Sequence, residues 1–323
     1  MTLALGLCLT VSLLAALSAR WLAEWLPPRT ATWLLAGGAV ALAGTSGAML
    51  GLVVLAAAVR TSRVAALGHM SLPTMIKDDP TPGPAGVAAG VLLAAAALAA
   101  AWVGFRRARA LIATHRLARH LPGSAQVVVI ADEAADAYAA PGWPGRIVVT
   151  SGMMLALGVD ERRVLLAHER AHVTGHHYLF TAAARLAAAA NPLLRPVNAA
   201  VRYSIERWAD EEAAAATGDR SVAAHAVARA ALAAAAAPAQ RPSPALGVVT
   251  TADRMREAGA VPRRVAALLR PPPRGRQMLL AVAIALVSVC GIAALDAALN
   301  LHALIEFAQA VLSRRVPIPR IRV

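Results

Sequence analysis

The chain reads as a predominantly α-helical membrane protein, with about four transmembrane helices and one domain outside the bilayer that holds a small β-hairpin or sheet. Three observations carry this reading. Hydrophobic residues make up 58% of the 323 positions and charged residues 15%, against about 45–50% and 25% in ordinary soluble chains. The apolar residues gather into long blocks, as a bilayer span requires. Between the third and fourth blocks the sequence turns polar, and β-branched runs precede amphipathic helical patterns there.

The first block runs from Thr2 to Ala19 and lacks a basic leader, so it reads as a span with its N-terminus outside rather than as a cleaved signal. Thr32 to Val59 is the second span. Its Gly37, Gly38, Gly44, Gly47 and Gly51 would permit close helix packing. Arg60 to Pro84 is a polar loop, irregular at Pro80-Thr81-Pro82-Gly83-Pro84. Ala85 to Phe105 is the third span, and Met278 to about Asn300 the fourth. The expected division is therefore 1–105 with three transmembrane helices (about 2–19, 32–59 and 85–105), a domain over 106–277, and a fourth helix with a short tail over 278–323.

The net charge of +14 is almost all arginine. Its densest cluster, Arg106, Arg107, Arg109, Arg116 and Arg119, follows the third span, and Arg270, Arg274 and Arg276 precede the fourth. The positive-inside rule puts both flanks, and the domain between them, in the cytoplasm. The tail arginines Arg314, Arg315, Arg320 and Arg322 oppose this weakly, and the larger cluster decides. Arginines beside apolar blocks suit anionic lipid headgroups. With no nucleic-acid motif visible, direct nucleic-acid binding is not expected. Cys8 and Cys290 fall inside apolar blocks and read as unpaired.

In the domain, Gln126 to Ala131 and Arg146 to Thr150 are strand-like. The turn signals Pro141-Gly142 and Pro144-Gly145 lie between them, so the expectation is a small hairpin or two-stranded unit. Asp132, Glu133 and Asp136 read as a solvated loop rather than a metal cluster.

The stretch that organises the domain is Val164 to Val173, which contains His168-Glu169-Arg170-Ala171-His172. Residues four apart share a helix face, so His168 and His172 can point at one metal ion. Glu169 lies about 100° round the helix, where a carboxylate can take a proton from a metal-bound water. Asp160 is the expected N-cap of this helix. Beyond it, Gly175-His176-His177 breaks the chain, and both histidines read as surface residues. Tyr178 to Ala190 is too short and too charged for a span and reads as a buried or interfacial helix ended by Asn191-Pro192. A further helix over about Asn198 to Thr217 carries Glu206 and Asp210 on one face. One of the pair can bind the metal while the other holds a ligand histidine. Glu211 and Glu212 read as a solvated acidic face.

These residues, with Ala137-Tyr138-Ala139-Ala140-Pro141-Gly142 and Ile147-Val148-Val149-Thr150-Ser151-Gly152 upstream, resemble the BlaR/MecR-type integral-membrane zinc metallopeptidases and the neighbouring HtpX and CAAX prenyl protease group. The likeness covers roughly residues 125 to 215. The order of three spans, protease and fourth span extends it over nearly the whole chain. The resemblance implies a gluzincin-type metalloprotease domain, with His168, His172 and Glu206 as zinc ligands, Glu169 as general base and Asp210 as the partner of a ligand histidine. It also implies a cell-membrane, multi-pass bacterial protein that cleaves a protein or peptide substrate. That substrate would be a cytoplasmic winged-helix repressor of the BlaI/MecI kind, cleaved in signal transduction. The alternatives are an HtpX-like quality-control protease for membrane proteins, and a non-proteolytic receptor with a structural zinc site.

Two departures qualify the likeness. Penicillin-sensing relatives carry a large acylatable domain after the fourth span. Only about twenty residues follow it here, without Ser-x-x-Lys, so direct β-lactam sensing is not expected of this polypeptide. HtpX-type proteins place an arginine three residues before the third ligand. Tyr203 stands at that position here, with Arg202 just before it.

Overall fold

The computed structural model describes residues 2–71, 73, 83–120, 126–142, 145–236, 251–273 and 275–315. Among the described residues four helices are long and apolar enough to cross a membrane: α1 (Thr2–Trp25), α2 (Pro28–Val59), α4 (Gly83–His120) and α11 (Gln277–Arg315). The short α3 (Ser62–Leu67) follows α2, and the loop after it meets the far end of α11, where Gln309 donates to the Gly68 carbonyl at 2.9 Å. Residues 80–82 of the proline run and Arg274, Arg320 and Arg322 lie outside the described residues.

All four helices outrun their apolar blocks, because Ala, Leu and Arg are strong helix formers and the helix need not stop where the apolarity does. The 38 residues of α4 make a rod of about 57 Å at about 1.5 Å per residue. That is roughly 27 Å more than the hydrocarbon core requires. The excess carries the basic cluster beyond the apolar block and brings Arg107 into the wall of a cleft. Of the five glycines expected to mediate packing, Gly38 faces Val287 and Gly51 faces Leu93, whereas Gly37, Gly44 and Gly47 face open space. The tightest approach between the apolar helices is at Gly86 instead, where a Cβ would stand 2.1 Å from that of Ala57. Cys8 and Cys290 are buried, unpaired neighbours between α1 and α11.

A helical hairpin packs into this bundle. It consists of α7 (His177–Ala190), the short 3-10 turn Pro192–Leu194 and α8 (Arg195–Thr217). Ala184, Ala187, Leu194, Val197, Ala200 and Val201 share one apolar core with residues of α1, α2 and α11. At its tip, buried Asn191 donates to Ser12 Oγ and Ser46 Oγ, both at 3.2 Å. Those serines lie near the middles of α1 and α2, so the tip reaches about halfway down the bundle. The side chain of Asn191 thereby finds partners where water cannot supply them. At the other end, buried Arg207 donates to the Ala23 carbonyl at 2.6 Å, satisfying an end group of α1.

Outside the bundle stand a three-stranded sheet and the helices α5 (Ser151–Ala156), α6 (Val159–Thr174), α9 (Arg220–Ala236) and α10 (Thr251–Leu268). The sheet differs from the expected two-stranded unit. Strands β1 (Val127–Ile130) and β3 (Arg146–Thr150) are parallel neighbours, and β2 (Ala137–Ala140) pairs antiparallel with β3 on its other side. The turn signals thus lie between the antiparallel neighbours β2 and β3, with Pro144 outside the described residues. Alanine-rich β2 lacks the β-branched residues that announce a strand, which is why it reads as loop. Ile147, Val148 and Val149 of the central strand are buried, as a strand covered on both faces must be. Gly145 is required at the end of the turn, since a Cβ there would meet Val173 at 2.7 Å.

Candidate active site

Helix α6 begins two residues earlier than expected. Its N-cap is Gly158, whose N–H donates to the Glu161 carboxylate at 2.7 Å, while Asp160 pairs with Arg163 on the surface. The carboxylate reaches back from the third helical residue to an amide that would otherwise lack a partner. Val164 and Leu165 anchor α6 in two separate apolar clusters, and His168 and Glu169 are buried beside them.

The Nε2 atoms of His168 and His172 converge at 3.1 Å. From α8, Glu206 brings Oε2 to 3.6 Å from His168 Nε2 and Oε1 to 3.7 Å from His172 Nε2. Among the described residues these three form the one group of donors able to hold a metal ion. Tetrahedral bonds of about 2.0–2.1 Å separate neighbouring ligands by about 3.3 Å, so the donor set and its spacing fit a zinc-sized cation. Asp132, Glu133 and Asp136 do not join this group. Asp132 instead accepts from the Ala134 N–H within its own loop.

Each histidine is oriented from behind. Asp210 Oδ1 lies 3.0 Å from His168 Nδ1. His177 Nδ1 lies 2.9 Å from His172 Nδ1. His177 is buried rather than on the surface, packed against the Trp208 ring at 4.6 Å between centroids. The break that brings it there is tight. A Cβ on Gly175 would meet the His177 ring at 2.5 Å, and His176 is left-handed at φ 50°, exposed as expected.

Arg264 of α10 completes the cluster. Its Nε and one terminal nitrogen donate to the two oxygens of Asp210 at 2.8 and 2.6 Å, and its other terminal nitrogen lies 3.1 Å from Glu206 Oε2. Nothing local in the sequence marks this arginine, since its partners stand more than fifty positions away. Glu211, expected as part of a solvated face, pairs with Arg220, which also caps α10 by donating to the Leu268 carbonyl at 2.9 Å.

The charges divide accordingly. Burial opposes charge on His168, but Asp210 and Glu206 outweigh it and lift its pKa to about 10. Burial leaves His172 neutral, with its pKa lowered to about 3, and lowers that of His177 to about 4. Burial also disfavours ionised Glu206 and Asp210, yet Arg264 holds both carboxyls below their ordinary range. For Glu169 burial outweighs the pull of nearby His168 and Arg264. Burial raises its carboxyl to about 7, where a proton acceptor for neutral pH belongs.

A cleft of about 630 Å³ opens over these groups. Strand β2 lines it with Ala137, Tyr138 and Ala139, and α4 with Arg107, Leu111 and Thr114. Strand β2 is one of the two edges of the sheet, so its outer backbone groups can pair with an extended peptide. Arg202 lines the cleft. Tyr203 turns away into the bundle core, under the Arg263 guanidinium at 4.2 Å.

The model of the family described as Peptidase family M48 matches residues 106–270. That range carries every group of the cleft floor and Arg264. No curated protein and no solved structure matches the chain.

Proposed function

Because the chain belongs to peptidase family M48, we propose that it is a zinc-dependent membrane endopeptidase whose catalytic part faces the cytoplasm. The observation that carries this reading is the convergence of His168 Nε2, His172 Nε2 and the Glu206 carboxylate within 3.1 to 3.7 Å, with the buried carboxyl of Glu169 on the same helix. His168, His172 and Glu206 would hold the ion, which when bound acidifies a water and polarises the scissile carbonyl.

The chain's own residues do the rest. Glu169 accepts the proton of the attacking water and returns it to the leaving amine. Asp210 fixes the His168 ring through Nδ1, and His177 does the same for His172. The open edge of β2 aligns the substrate backbone beside the ligands.

The substrate we infer is a polypeptide segment presented at the membrane surface. The extension of α4 and the α7–α8 hairpin wall the cleft on the bilayer side, with Arg107, Leu111, Thr181 and Ala182 among its lining residues. This supports cleavage of membrane proteins, as in quality control of the HtpX kind. A soluble repressor of the BlaI/MecI kind is the signalling form of the same activity, and a zinc-bound receptor without hydrolysis is the non-enzymatic one. The test reconstitutes the protein in liposomes with one cleavable sequence supplied as a membrane-anchored and as a soluble protein. Faster cleavage of the anchored form is expected. Preference for the soluble form would favour the repressor, and zinc binding with no cleavage of either would overturn the peptidase reading.

A further inference from the structure

A second cavity, of about 540 Å³, lies between two of the apolar helices, away from the metal ligands. Helix α2 lines it with Arg29, Thr30, Trp33, Leu34, Gly37 and Gly38, and α11 with Leu280, Ile284, Val287 and Ser288. The furrow owes its depth to the glycines: nothing stands within 4 Å of where a Cβ would be on Gly37, and only Val287, at 3.8 Å, near Gly38.

Three features define the occupant. The furrow follows α2 from Arg29 to Gly38, about 14 Å at about 1.5 Å per residue. That is close to half of a hydrocarbon core of about 30 Å, the depth of one leaflet, and too short for a partner helix that spans both. Apart from Arg29, Thr30 and Ser288 its walls are apolar, and none of the lining residues is acidic. Its end at the membrane surface is cationic. Arg29 is exposed there, and Arg276 stands one turn before Leu280, its guanidinium 4.0 Å over the Trp25 ring.

We propose that this furrow is a binding site for one anionic phospholipid of the surrounding bilayer, with its phosphate at Arg29 and an acyl chain laid along Gly37 and Gly38. The site borders the packing behind the metal ligands. Arg29 lies 5.5 Å over the Trp208 ring, which packs on His177, and Trp33 meets Phe180 edge-on at 4.7 Å.

The test is native mass spectrometry of the full chain released from bilayers of phosphatidylglycerol and phosphatidylcholine in equal amounts, with matched acyl chains. One phosphatidylglycerol per chain should be retained, preferred about fivefold for each arginine engaged. Arg29→Gln should reduce the preference while still retaining a lipid. Gly37→Leu should remove the retained lipid, and since its Cβ meets open space the fold should be unaffected. Equal retention of the two lipids by the unmodified chain overturns the proposal. So does unchanged retention in Gly37→Leu, or a loss of oligomer mass in that variant, which would mean that a second copy fills the furrow.

Discussion

His177 places Nδ1 2.9 Å from Nδ1 of His172, across the break that ends the motif helix. For His172 to offer Nε2 to a cation as a neutral ring, its proton must sit on Nδ1 and be donated to His177. His177 is therefore placed to accept that proton and to select the tautomer His172 would need as a ligand. His177→Phe keeps a ring of similar size and removes the acceptor, so zinc affinity should fall about 10- to 100-fold, measured by competition with a chelator. Unchanged affinity would show that the contact does not orient His172.

Arg264 joins two carboxylates of α8 to α10, and its removal leaves buried Asp210 and half-buried Glu206 with protonated His168 as their remaining counter-charge. Breaking a buried pair in this way costs about 3–5 kcal/mol. Arg264→Ala should therefore lower the melting temperature sharply in the metal-free protein, and less with zinc bound, because the ion itself neutralises Glu206. Arg264→Lys should recover only part of the loss, since a point charge cannot reproduce the two-pronged contact with Asp210. Equal destabilisation with and without zinc would mean that Arg264 serves packing alone.

The parts of the site legible in the sequence are those with a short period. His168 and His172, then Glu206 and Asp210, are each four apart, and a helix converts that spacing into a shared face without tertiary information. The structure brings the two faces together, with Glu206 at the two Nε2 atoms and Asp210 3.0 Å from His168 Nδ1, whereas spacing alone left open which carboxylate takes which place. The apolar spans were legible for a different reason: a bilayer demands long runs of one chemistry. What escaped has no local signature. Arg264 is one arginine among many until α10 folds back over α8. His177 follows Gly175-His176, where a left-handed residue decides which side of the chain it lands on. Strand β2 is an alanine-rich tetrapeptide that becomes a strand only because β3 is already beside it.

Proton release gives a thermodynamic check. In the metal-free site His168 is lifted to about 10 by Asp210 and Glu206 against the effect of burial, whereas burial keeps His172 neutral, lowered to about 3. Ligand nitrogens must be unprotonated, so zinc binding at pH 7 should expel about one proton, from His168. Calorimetry in buffers of different ionisation enthalpy should show it, with affinity rising about tenfold per pH unit between about pH 6 and 8. The linked stability has the opposite sign. A pKa raised from 6.5 to about 10 stabilises the metal-free fold fully below pH 6.5, and that stability is lost as pH rises through about 10. Binding enthalpy independent of the buffer would refute the charge assignment.

Buried Glu169 and half-buried Glu206 are carboxylic acids beside the same histidines, and one contact distinguishes them. Arg264 holds Glu206 ionised at the convergence point, whereas for Glu169 burial outweighs the pull of His168 and Arg264 and leaves it near 7. The first state suits a permanent ligand and the second a group that gains and loses a proton during each turnover. Glu169→Gln should accordingly keep zinc and the fold while peptide hydrolysis drops by about 10²- to 10⁴-fold, the scale of a lost general base. Glu206→Gln should lose zinc itself, because a neutral amide is a poorer ligand and leaves Arg264 without half of its counter-charge. Asp210→Asn should retain more zinc than Glu206→Gln and lose about 10- to 100-fold in affinity. Zinc content and cleavage, measured side by side on the three variants, separate the roles. If Glu169→Gln cleaves at the rate of the unmodified protein, Glu169 is not the proton acceptor and the proposed mechanism fails.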